Sequence, residues 1–332
     1  MSDAATPAVS VLMVVHDAET YLADAVQSIL DQTLEAFELL IYDDGSTDAS
    51  ARVADAFAAR DARVALHRRA HAGLATWLRE GVEAARADVV ARMDADDVAH
   101  PERLARQLAY LRAHPECVAV GTEVLLVDPE RRPIGSGVVR LDHEAIDAEL
   151  MRGRGSALVH PSVALRRAAV RAVGNYRTDV PWAEDLDLFL RLAERGRLAN
   201  LPEILLEYRQ HPQTVNATRA VEQRRSVNRI LAEARERRGL PRRDDPPLPP
   251  VAQAPVLLDH WTRWARAAIG GGHRATARHY AWRVLQAAPL AWSSWRLALR
   301  AALGVRLARS RGAPRGAGAD CALAQPALRG RS

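Results

Sequence analysis

The sequence predicts an α/β fold, a doubly wound and mostly parallel sheet followed by a small helical appendage. Short, almost continuously apolar runs alternate with apolar residues at helical spacing, as strands buried on both faces and their crossover helices do. Acidic residues follow several of these runs, and a proline-rich stretch separates a helical C-terminal region. Such an order favours right-handed crossovers and places every loop that leaves a strand's carboxyl end on one rim, where ligands bind.

The first elements follow the order strand, helix, strand, helix, strand, helix, strand. The strands are predicted over Val9–Val15, Phe37–Tyr42, Arg63–His67 and Asp88–Met93. The crossover helices show helical apolar spacing at Leu22, Val26, Ile29, Leu30 and Leu34, and at Leu74, Leu78, Val82 and Ala85.

The next part of the chain mixes short elements. Cys117–Asp128 returns to a strand pattern and Pro129–Gly137 predicts a turn. An amphipathic helix is expected over Asp185–Arg195, and closing strands are expected over Leu198–Leu201 and Ile204–Tyr208.

These patterns predict five segments along the chain. They are an N-terminal tail at 1–7, the α/β domain at 8–220, a helical extension with a proline-rich linker at 221–250, a helical appendage at 251–305, and a basic tail at 306–332 that is expected to be disordered. The appendage contains five tryptophans, which are expected to pack its helices, with a membrane-surface role as the alternative. They are Trp261, Trp264, Trp282, Trp292 and Trp295.

Composition excludes several classes of protein. All 46 basic residues are arginine, so a P-loop and Schiff-base catalysis, which need lysine, are both excluded. We interpret the net charge of +5 as compositional bias rather than nucleic-acid binding, although six arginines against one acid in 306–332 are compatible with an anionic membrane surface. Two distant cysteines, and no signal-peptide or membrane-spanning pattern, predict a cytoplasmic protein, with peripheral membrane contact through the C-terminal region left open.

An acidic cluster follows the fourth predicted strand. Asp94, Asp96 and Asp97 lie between that strand and a helical pattern that begins near Pro101. Their carboxylates repel one another unless a divalent cation such as Mg²⁺ or Mn²⁺, which prefers oxygen ligands, lies among them. The alternative is a solvated loop in which Asp97 or His100 caps the next helix.

A second acidic pair, Asp43 and Asp44, follows the second strand. Gly45 permits a tight turn there and Ser46 or Thr47 is suited to capping the next helix. A carboxylate at this rim can accept hydrogen bonds from a nucleotide base or from ribose hydroxyls.

Ten segments in order along the chain resemble family 2 glycosyltransferases. They are Val9–Leu22, Gln32–Thr33, Phe37–Leu39, Asp43–Asp48, Ala91–Asp97, Pro101–Leu104, His160–Ser162, Gly174–Arg177, Ala183–Leu188 and Tyr208–His211. The resemblance covers roughly residues 8 to 215 and implies the GT-A fold, a nucleotide-sugar donor, a divalent metal, Mn²⁺ or Mg²⁺, and inversion at the anomeric carbon. The sequence departs from the family's pattern at Asp17, His71 and Arg79, which stand in place of asparagine. Trp77 adds to these differences near the donor.

The resemblance also implies roles for the donor-site residues. Asp44 would contact the base with Asp43 beside it, and Val14 and His16 would line the nucleoside pocket.

At the metal, Asp94 and Asp96 correspond to the family's DXD motif. Asp96 is the first choice as metal ligand, Asp94 faces the ribose or the metal, and Asp97 is the alternative ligand. His211 stands where the family often has a histidine near the metal or diphosphate, with a structural role as the alternative. Arg92 could counter the acidic cluster or touch the diphosphate, but arginine is too frequent in this chain for that to carry weight.

The resemblance assigns removal of the acceptor's proton to another acidic pair, Glu184 and Asp185, with Asp185 as the general base. A base is needed because an acceptor hydroxyl is a poor nucleophile until its proton is being removed. The alternative is that the pair only stabilises a helix N-terminus, and Asp187 is expected to cap or pair locally.

The predicted function is therefore metal-assisted, inverting transfer of a sugar from a nucleotide sugar, a UDP-sugar by first expectation, to a saccharide or lipid-linked acceptor. The setting implied by the resemblance is cell-surface polysaccharide biosynthesis. The alternative is a non-catalytic nucleotide-sugar-binding module in a biosynthetic complex. A dehydrogenase or a sugar-nucleotide pyrophosphorylase is disfavoured because His16–Glu19 lacks the glycine-rich loop that either would need after the first strand.

Overall fold

The computed structural model describes residues 6–137, 140–211, 220–242 and 257–304. These residues form two compact units. The first contains 6–124, 140–208 and 220–242, and the second contains 125–137, 209–211 and 257–304. The predicted basic tail at 306–332 and most of the proline-rich linker lie outside the described residues.

Nine strands and eleven α-helices occur in these ranges. The strands are β1 (Val9–Val15), β2 (Phe37–Asp44), β3 (Val64–Arg69), β4 (Val89–Asp94), β5 (Val98–Ala99), β6 (Cys117–Val127), β7 (Pro133–Gly137), β8 (Ala164–Arg166) and β9 (Arg197–Arg209). The helices are α1 (Leu22–Leu30), α2 (Ser50–Ala58), α3 (Leu74–Ala84), α4 (Arg103–Ala113), α5 (His143–Leu150), α6 (Arg167–Ala172), α7 (Glu184–Ala193), α8 (Ala220–Arg237), α9 (Leu257–Gly271), α10 (Arg274–Ala287) and α11 (Trp292–Leu303).

The main sheet has the strand order β3-β2-β1-β4-β8-β6-β9-β5. The pairs β3–β2, β2–β1 and β1–β4 are parallel, whereas β8 pairs antiparallel with β4 and β6, and β5 pairs antiparallel with β9. The parallel half is covered on both faces, and all eight residues of β2 are buried. The predicted α/β fold with a doubly wound, mostly parallel sheet is confirmed.

The strand register places the acidic loops together. Val14 of β1 lies opposite Asp94 of β4, and Val15 lies opposite Asp43 of β2. Because these parallel strands end at neighbouring positions, the loops that follow them share one rim of the sheet, as the sequence predicts.

Two predicted elements differ from the structure. The two closing strands are one continuous strand, β9, which passes through Pro202 where that residue is exposed and its missing N–H is tolerated. The turn predicted over Pro129–Gly137 is shorter, because Pro133–Gly137 forms β7, which pairs with β6 as a hairpin.

The second unit has its own apolar core. Trp264 of α9 packs edge to face against Tyr280 of α10, with ring centroids 5.0 Å apart, and Ile134 and Leu297 join them. The expectation that tryptophans pack this appendage holds for Trp264, whereas it is wrong for Trp282, Trp292 and Trp295, which are exposed. Within the ranges that the structure describes, no helix has both the length and the apolar character needed to cross a bilayer.

Candidate active site

The acidic cluster lies in the turn that joins β4 to β5. Asp94 ends β4, and the carboxylate oxygens of Asp94, Asp96 and Asp97 that could bind a metal all lie within 4.8 Å of one another. Asp97 is fully buried, and the other two are half-buried. Asp97 does not cap helix α4, whose N-cap residue is Glu102; the Glu102 N–H instead donates to His100 Nδ1 over 3.3 Å. Three carboxylate oxygens at this spacing fit the donor set of Mg²⁺ or Mn²⁺.

Two buried arginines accompany these aspartates. Arg92 is 4% exposed and pairs with Asp94 through Nη2. Burial opposes its charge, but the carboxylates of Asp94 and Asp97 outweigh burial and raise the pKa of Arg92. Its Nε and Nη1 have no hydrogen-bond partner in the described part of the chain although they are enclosed by protein. Arg92 therefore supplies an internal positive charge to the acidic cluster.

Arg103 is the second buried cation. It is fully buried and donates to the Arg92 carbonyl oxygen over 2.6 Å, to Gln107 Oε1 over 3.2 Å and to Met93 sulfur over 3.3 Å. Burial lowers the pKa of Arg103 to about 9, opposed by Asp97 and reinforced by Arg92. The sequence did not predict this role of Arg103, which belongs to the segment Pro101–Leu104, because periodicity does not reveal a buried charge.

Glu184 and Asp185 form the N-terminus of α7 and face the same arginine. Both residues are half-buried, but protein atoms surround their carboxyl groups. Burial raises the pKa of Glu184 to about 7, with a further contribution from the charge of Asp185. Burial also raises the pKa of Asp185, whereas Arg92 lowers the pKa of both. The acidic pair and the acidic cluster thus interact with one buried cation.

Gly155 allows close approach to the acidic pair. A Cβ atom at this position would lie 3.2 Å from Asp185 Oδ2. A glycine here leaves space beside the carboxylate that any other residue would reduce.

A neutral histidine completes the buried surroundings of Arg92. His160 Nε2 lies 2.9 Å from the Tyr176 hydroxyl, and its ring packs edge to face on Phe189 of α7. Burial, and then the charge of Arg92, hold the pKa of His160 well below its usual range. The neutral imidazole adds no second positive charge beside Arg92.

The Asp43–Asp44 pair has internal partners. The Asp44 carboxylate accepts hydrogen bonds from the Ala72 N–H over 2.6 Å, the Gly73 N–H over 3.1 Å and the Trp77 indole N–H over 2.5 Å. Asp43 accepts from the Ser46 N–H over 3.1 Å. Both carboxylates are buried, and Asp44 holds the start of α3, which sequence reasoning missed. The contact of Asp44 with the nucleotide base, with Asp43 beside it, stays a prediction.

Two exposed imidazoles flank Asp44 at the rim. The ring centroids of His16 and His71 are 4.6 Å apart, His16 Nδ1 lies 2.9 Å from the Asp44 carbonyl oxygen, and His71 Nδ1 lies 3.0 Å from Asp44 Oδ2. Nitrogen and oxygen atoms of this trio lie within 4.8 Å of one another, so it is a second group that could hold a metal ion. Val14, which is half-buried, lies on β1 opposite Asp94 of β4 and precedes His16 by two residues.

The remaining predicted residues have separate locations. Asp187 is fully buried and pairs with Arg191 and with Arg177, which confirms its predicted local pairing. Arg79, where the resemblance implies asparagine, donates to the carbonyl oxygens of Gly174 and Tyr176 over 3.0 Å each and is structural. His211 belongs to the second unit and to neither group of possible metal ligands among the described residues, and its role stays a prediction.

Residues 10–172 match the model of Glycosyl transferase family 2. The chain is also 34% identical over 209 residues to EpsE of Bacillus subtilis (strain 168), provisionally named a glycosyltransferase, across 61% of this chain and 73% of that protein. The chain belongs to glycosyl transferase family 2. It is 31% identical over 200 residues to the amylovoran biosynthesis glycosyltransferase AmsE of Erwinia amylovora, across 60% of this chain and 74% of AmsE. The predicted family is confirmed, and the protein is a glycosyltransferase.

Two solved structures share the fold of this chain. TarS residues 1–349 of S. aureus, solved with UDP, superpose with a TM-score of 0.54 at 17% identity, covering 88% of each chain. The mannosyltransferase PcManGT of Pyrobaculum calidifontis, solved with GDP-Man and Mn²⁺, gives a TM-score of 0.53 at 18% identity, covering 90% of this chain and 80% of that one. The predicted GT-A fold is confirmed.

Proposed function

We propose that this glycosyltransferase moves a sugar from a nucleotide-sugar donor to a hydroxyl of a saccharide or lipid-linked acceptor, with inversion and with the help of a divalent cation. One observation carries the proposal: the acidic cluster at the end of β4 and the acidic pair at the start of α7 both interact with the buried Arg92. A leaving-group site and a proton acceptor are the two functions that an inverting transfer needs close together.

The acidic cluster fits a divalent cation. Asp96 and Asp94 would hold the ion, with Asp97 as the alternative ligand, because their oxygen atoms lie within 4.8 Å of one another. Mn²⁺ or Mg²⁺ bound there would neutralise the diphosphate as its negative charge grows. The complex of PcManGT with GDP-Man and Mn²⁺ supports this choice of ion.

Asp185 acts on the acceptor. Its carboxylate takes the hydroxyl proton while the acceptor oxygen forms a bond to the anomeric carbon and the bond from that carbon to the diphosphate oxygen breaks. This single displacement inverts the anomeric centre. The charge of Asp185 makes ionisation of Glu184 harder. Because such an interaction is reciprocal, Glu184 tunes the base.

The donor nucleoside is assigned to the rim beside β1 and β2. Val14 and His16 line its pocket, with Asp43 and Asp44 beneath the loop that carries His71. The TarS complexes with UDP and UDP-GlcNAc make a UDP-sugar the first donor to test. The name of AmsE, an amylovoran biosynthesis glycosyltransferase, supports an acceptor in polysaccharide biosynthesis. A cell-surface polysaccharide as the product and a location at the cytoplasmic face of the membrane are part of the proposal.

The deciding experiment measures nucleoside diphosphate released from UDP-, GDP- and dTDP-sugars with Mn²⁺ or Mg²⁺, and the anomeric configuration of the product by NMR. We expect turnover of one donor class and an inverted product. Asp96→Asn should abolish turnover, whereas His71→Ala should retain metal dependence, because the second group of possible ligands is not the proposed metal site. Donor binding by calorimetry without turnover of any donor would instead identify a non-catalytic binding module.

A further inference from the structure

Helix α11 of the second unit exposes an apolar stripe. Trp292, Trp295, Leu299 and Leu303, here named the α11 stripe, are 74%, 53%, 60% and 64% exposed. At 3.6 residues per turn these four positions fall within an arc of about 80°. Ser294, Leu297 and Ala301, on the opposite side, are the buried residues of the helix. The helix therefore carries one apolar face that packs the core and another that faces solvent.

The turn before α11 extends this surface. Leu290 is fully exposed, and the indole N–H of Trp295 donates to the Pro289 carbonyl oxygen over 2.8 Å, which fixes the ring beside the turn. Isolated exposed apolar residues are common, but a contiguous group of large ones marks an interaction surface.

The helices of the second unit carry an excess of positive charge, part of it beside the stripe. Residues 257–304 contain seven arginines and one acidic residue, Asp259, which gives a formal charge of 7 − 1 = +6. Arg296 is exposed and Arg300 half-exposed along one edge of the stripe. Neither arginine forms an ion pair with an acidic side chain in the described ranges.

We propose that the α11 stripe is a membrane-surface anchor that inserts shallowly into a bilayer containing anionic lipid. Tryptophan and leucine favour the boundary between headgroups and acyl chains, and arginines beside them attract anionic headgroups. A second copy of this chain is a less suitable occupant, because two such surfaces would bring their excess positive charges together. The proposal concerns the second unit alone and does not depend on the donor or the metal.

The first test measures partition of the full-length protein onto vesicles of phosphatidylcholine with about 30% phosphatidylglycerol, against phosphatidylcholine alone. We expect binding to the anionic vesicles that weakens as salt rises. The double variant Trp292→Ser/Leu299→Ser should lower the partition coefficient by about tenfold or more. The matched control is Leu141→Ser/Ile204→Ser, which removes exposed apolar residues of the first unit, 49% and 43% exposed, and should partition as the wild type does.

A second measurement separates insertion from simple charge attraction. Brominated lipids quench tryptophan fluorescence only at close range, so vesicle binding should quench the wild type and quench Trp292→Phe/Trp295→Phe far less. Arg296→Glu should weaken binding more than Arg60→Glu, an exposed arginine of the first unit. Release of nucleoside diphosphate in the absence of vesicles should be equal in the stripe variants and the wild type, so a failed anchor remains distinguishable from a failed enzyme.

Three results would overturn the proposal. They are a wild-type protein that stays in solution with anionic vesicles, a stripe variant that partitions like the wild type, and sedimentation showing that the stripe mediates self-association without vesicle binding.

Discussion

At the residue scale, Arg92 has the widest influence on the site. It pairs directly with Asp94, its own pKa is raised by the charges of Asp94 and Asp97, and it lowers the pKa of Glu184 and Asp185. A guanidinium keeps its charge in such surroundings, so it can compensate several carboxylates at once. The acidic loop can therefore fold before any cation binds.

Replacing Arg92 by methionine should destabilise the protein by about 3–5 kcal/mol in EDTA, because carboxylates lose their buried counter-charge. Mn²⁺ should then raise the thermal midpoint of Arg92→Met more than that of the wild type, since the ion supplies the missing positive charge. Arg106→Met is the control, because the ion pairs of Arg106 with Glu102 and Glu203 are exposed. An equal Mn²⁺ effect in the variant and the wild type would contradict the role given to Arg92.

Asp185→Asn should lower the turnover number by about 10²- to 10⁴-fold, because the amide cannot accept the acceptor proton. The fold should persist, since burial already disfavours the charged form of this side chain. Circular dichroism and donor titration test the fold and binding separately from turnover. Asp179→Asn, in an exposed ion pair with Arg177, is the control and should keep full activity; an active Asp185→Asn would remove Asp185 as the base.

The acidic pair also predicts a pH dependence. Burial raises the pKa of the base Asp185, and raises that of its neighbour Glu184 to about 7, so transfer should increase with pH as Asp185 loses its proton and level off once the pair is ionised. Glu184→Gln should shift this rise to lower pH, because Asp185 then ionises without a neighbouring negative charge. A pH–rate profile of kcat/KM measures both effects, and an unshifted profile in Glu184→Gln would count against coupling.

The raised pKa of Glu184 makes the folded protein less stable as the pH rises, while transfer is expected to increase. The pKa of Glu184 in the folded state lies above its usual 4.5, so the folded protein holds this proton more tightly than the unfolded chain does. Its contribution to the free energy of unfolding therefore falls as the pH rises from about 4.5 to about 7. A site that favours catalysis at neutral pH is thus destabilised there.

At the element scale, one buried carboxylate holds the turn between β6 and β7 to helix α10 within the second unit. Asp128, fully buried in the turn between these strands, accepts hydrogen bonds from the Tyr280 hydroxyl of α10 over 2.7 Å and from the Arg132 N–H over 2.7 Å. It also pairs with the Arg132 side chain. The sequence shows a turn at this place, but not the helix that the turn contacts.

Asp128→Ala should destabilise the second unit by about 2–3 kcal/mol, because a buried hydroxyl and backbone N–H groups lose a charged acceptor. Hydrogen exchange of α9 and α10 amides should accelerate, while β1 and β2 amides of the first unit stay protected. Glu130→Ala is the control in the same turn, since the Glu130 side chain is 58% exposed and should contribute little. Equal exchange in the two variants would exclude Asp128 as the anchor.

Helix α3 shows a similar dependence on one side chain. Its first residues follow Ala72 and Gly73, whose N–H groups donate to Asp44, and Trp77 donates to the same carboxylate. The sequence predicts the helix from its apolar spacing. Only the structure shows that the acidic pair of β2 fixes where the helix begins.

At the scale of the whole molecule, metal removal should separate activity from folding. EDTA should abolish transfer without changing the circular dichroism spectrum, because Arg92 and Arg103 already compensate part of the acidic charge. Saturating Mn²⁺, at about 100 times its dissociation constant, should then add about 2.7 kcal/mol of stability. Asp96→Asn should lose most of this stabilisation and His71→Ala should keep it; the reverse result would place the ion between His16 and His71.

The sequence alone determined the order of strands and helices from β1 to β4, because burial on both faces requires apolar runs and crossover helices require apolar spacing. It also determined that acidic loops share one rim, since parallel strands must end together. Tertiary structure decided what depends on distant partners: Arg92 and Arg103 as buried counter-charges, Asp44 as a partner of α3, and Asp128 as the hairpin's anchor. It also decided which tryptophans face solvent. A residue's charge and size can be read from the chain, but its burial and its partners exist only after folding.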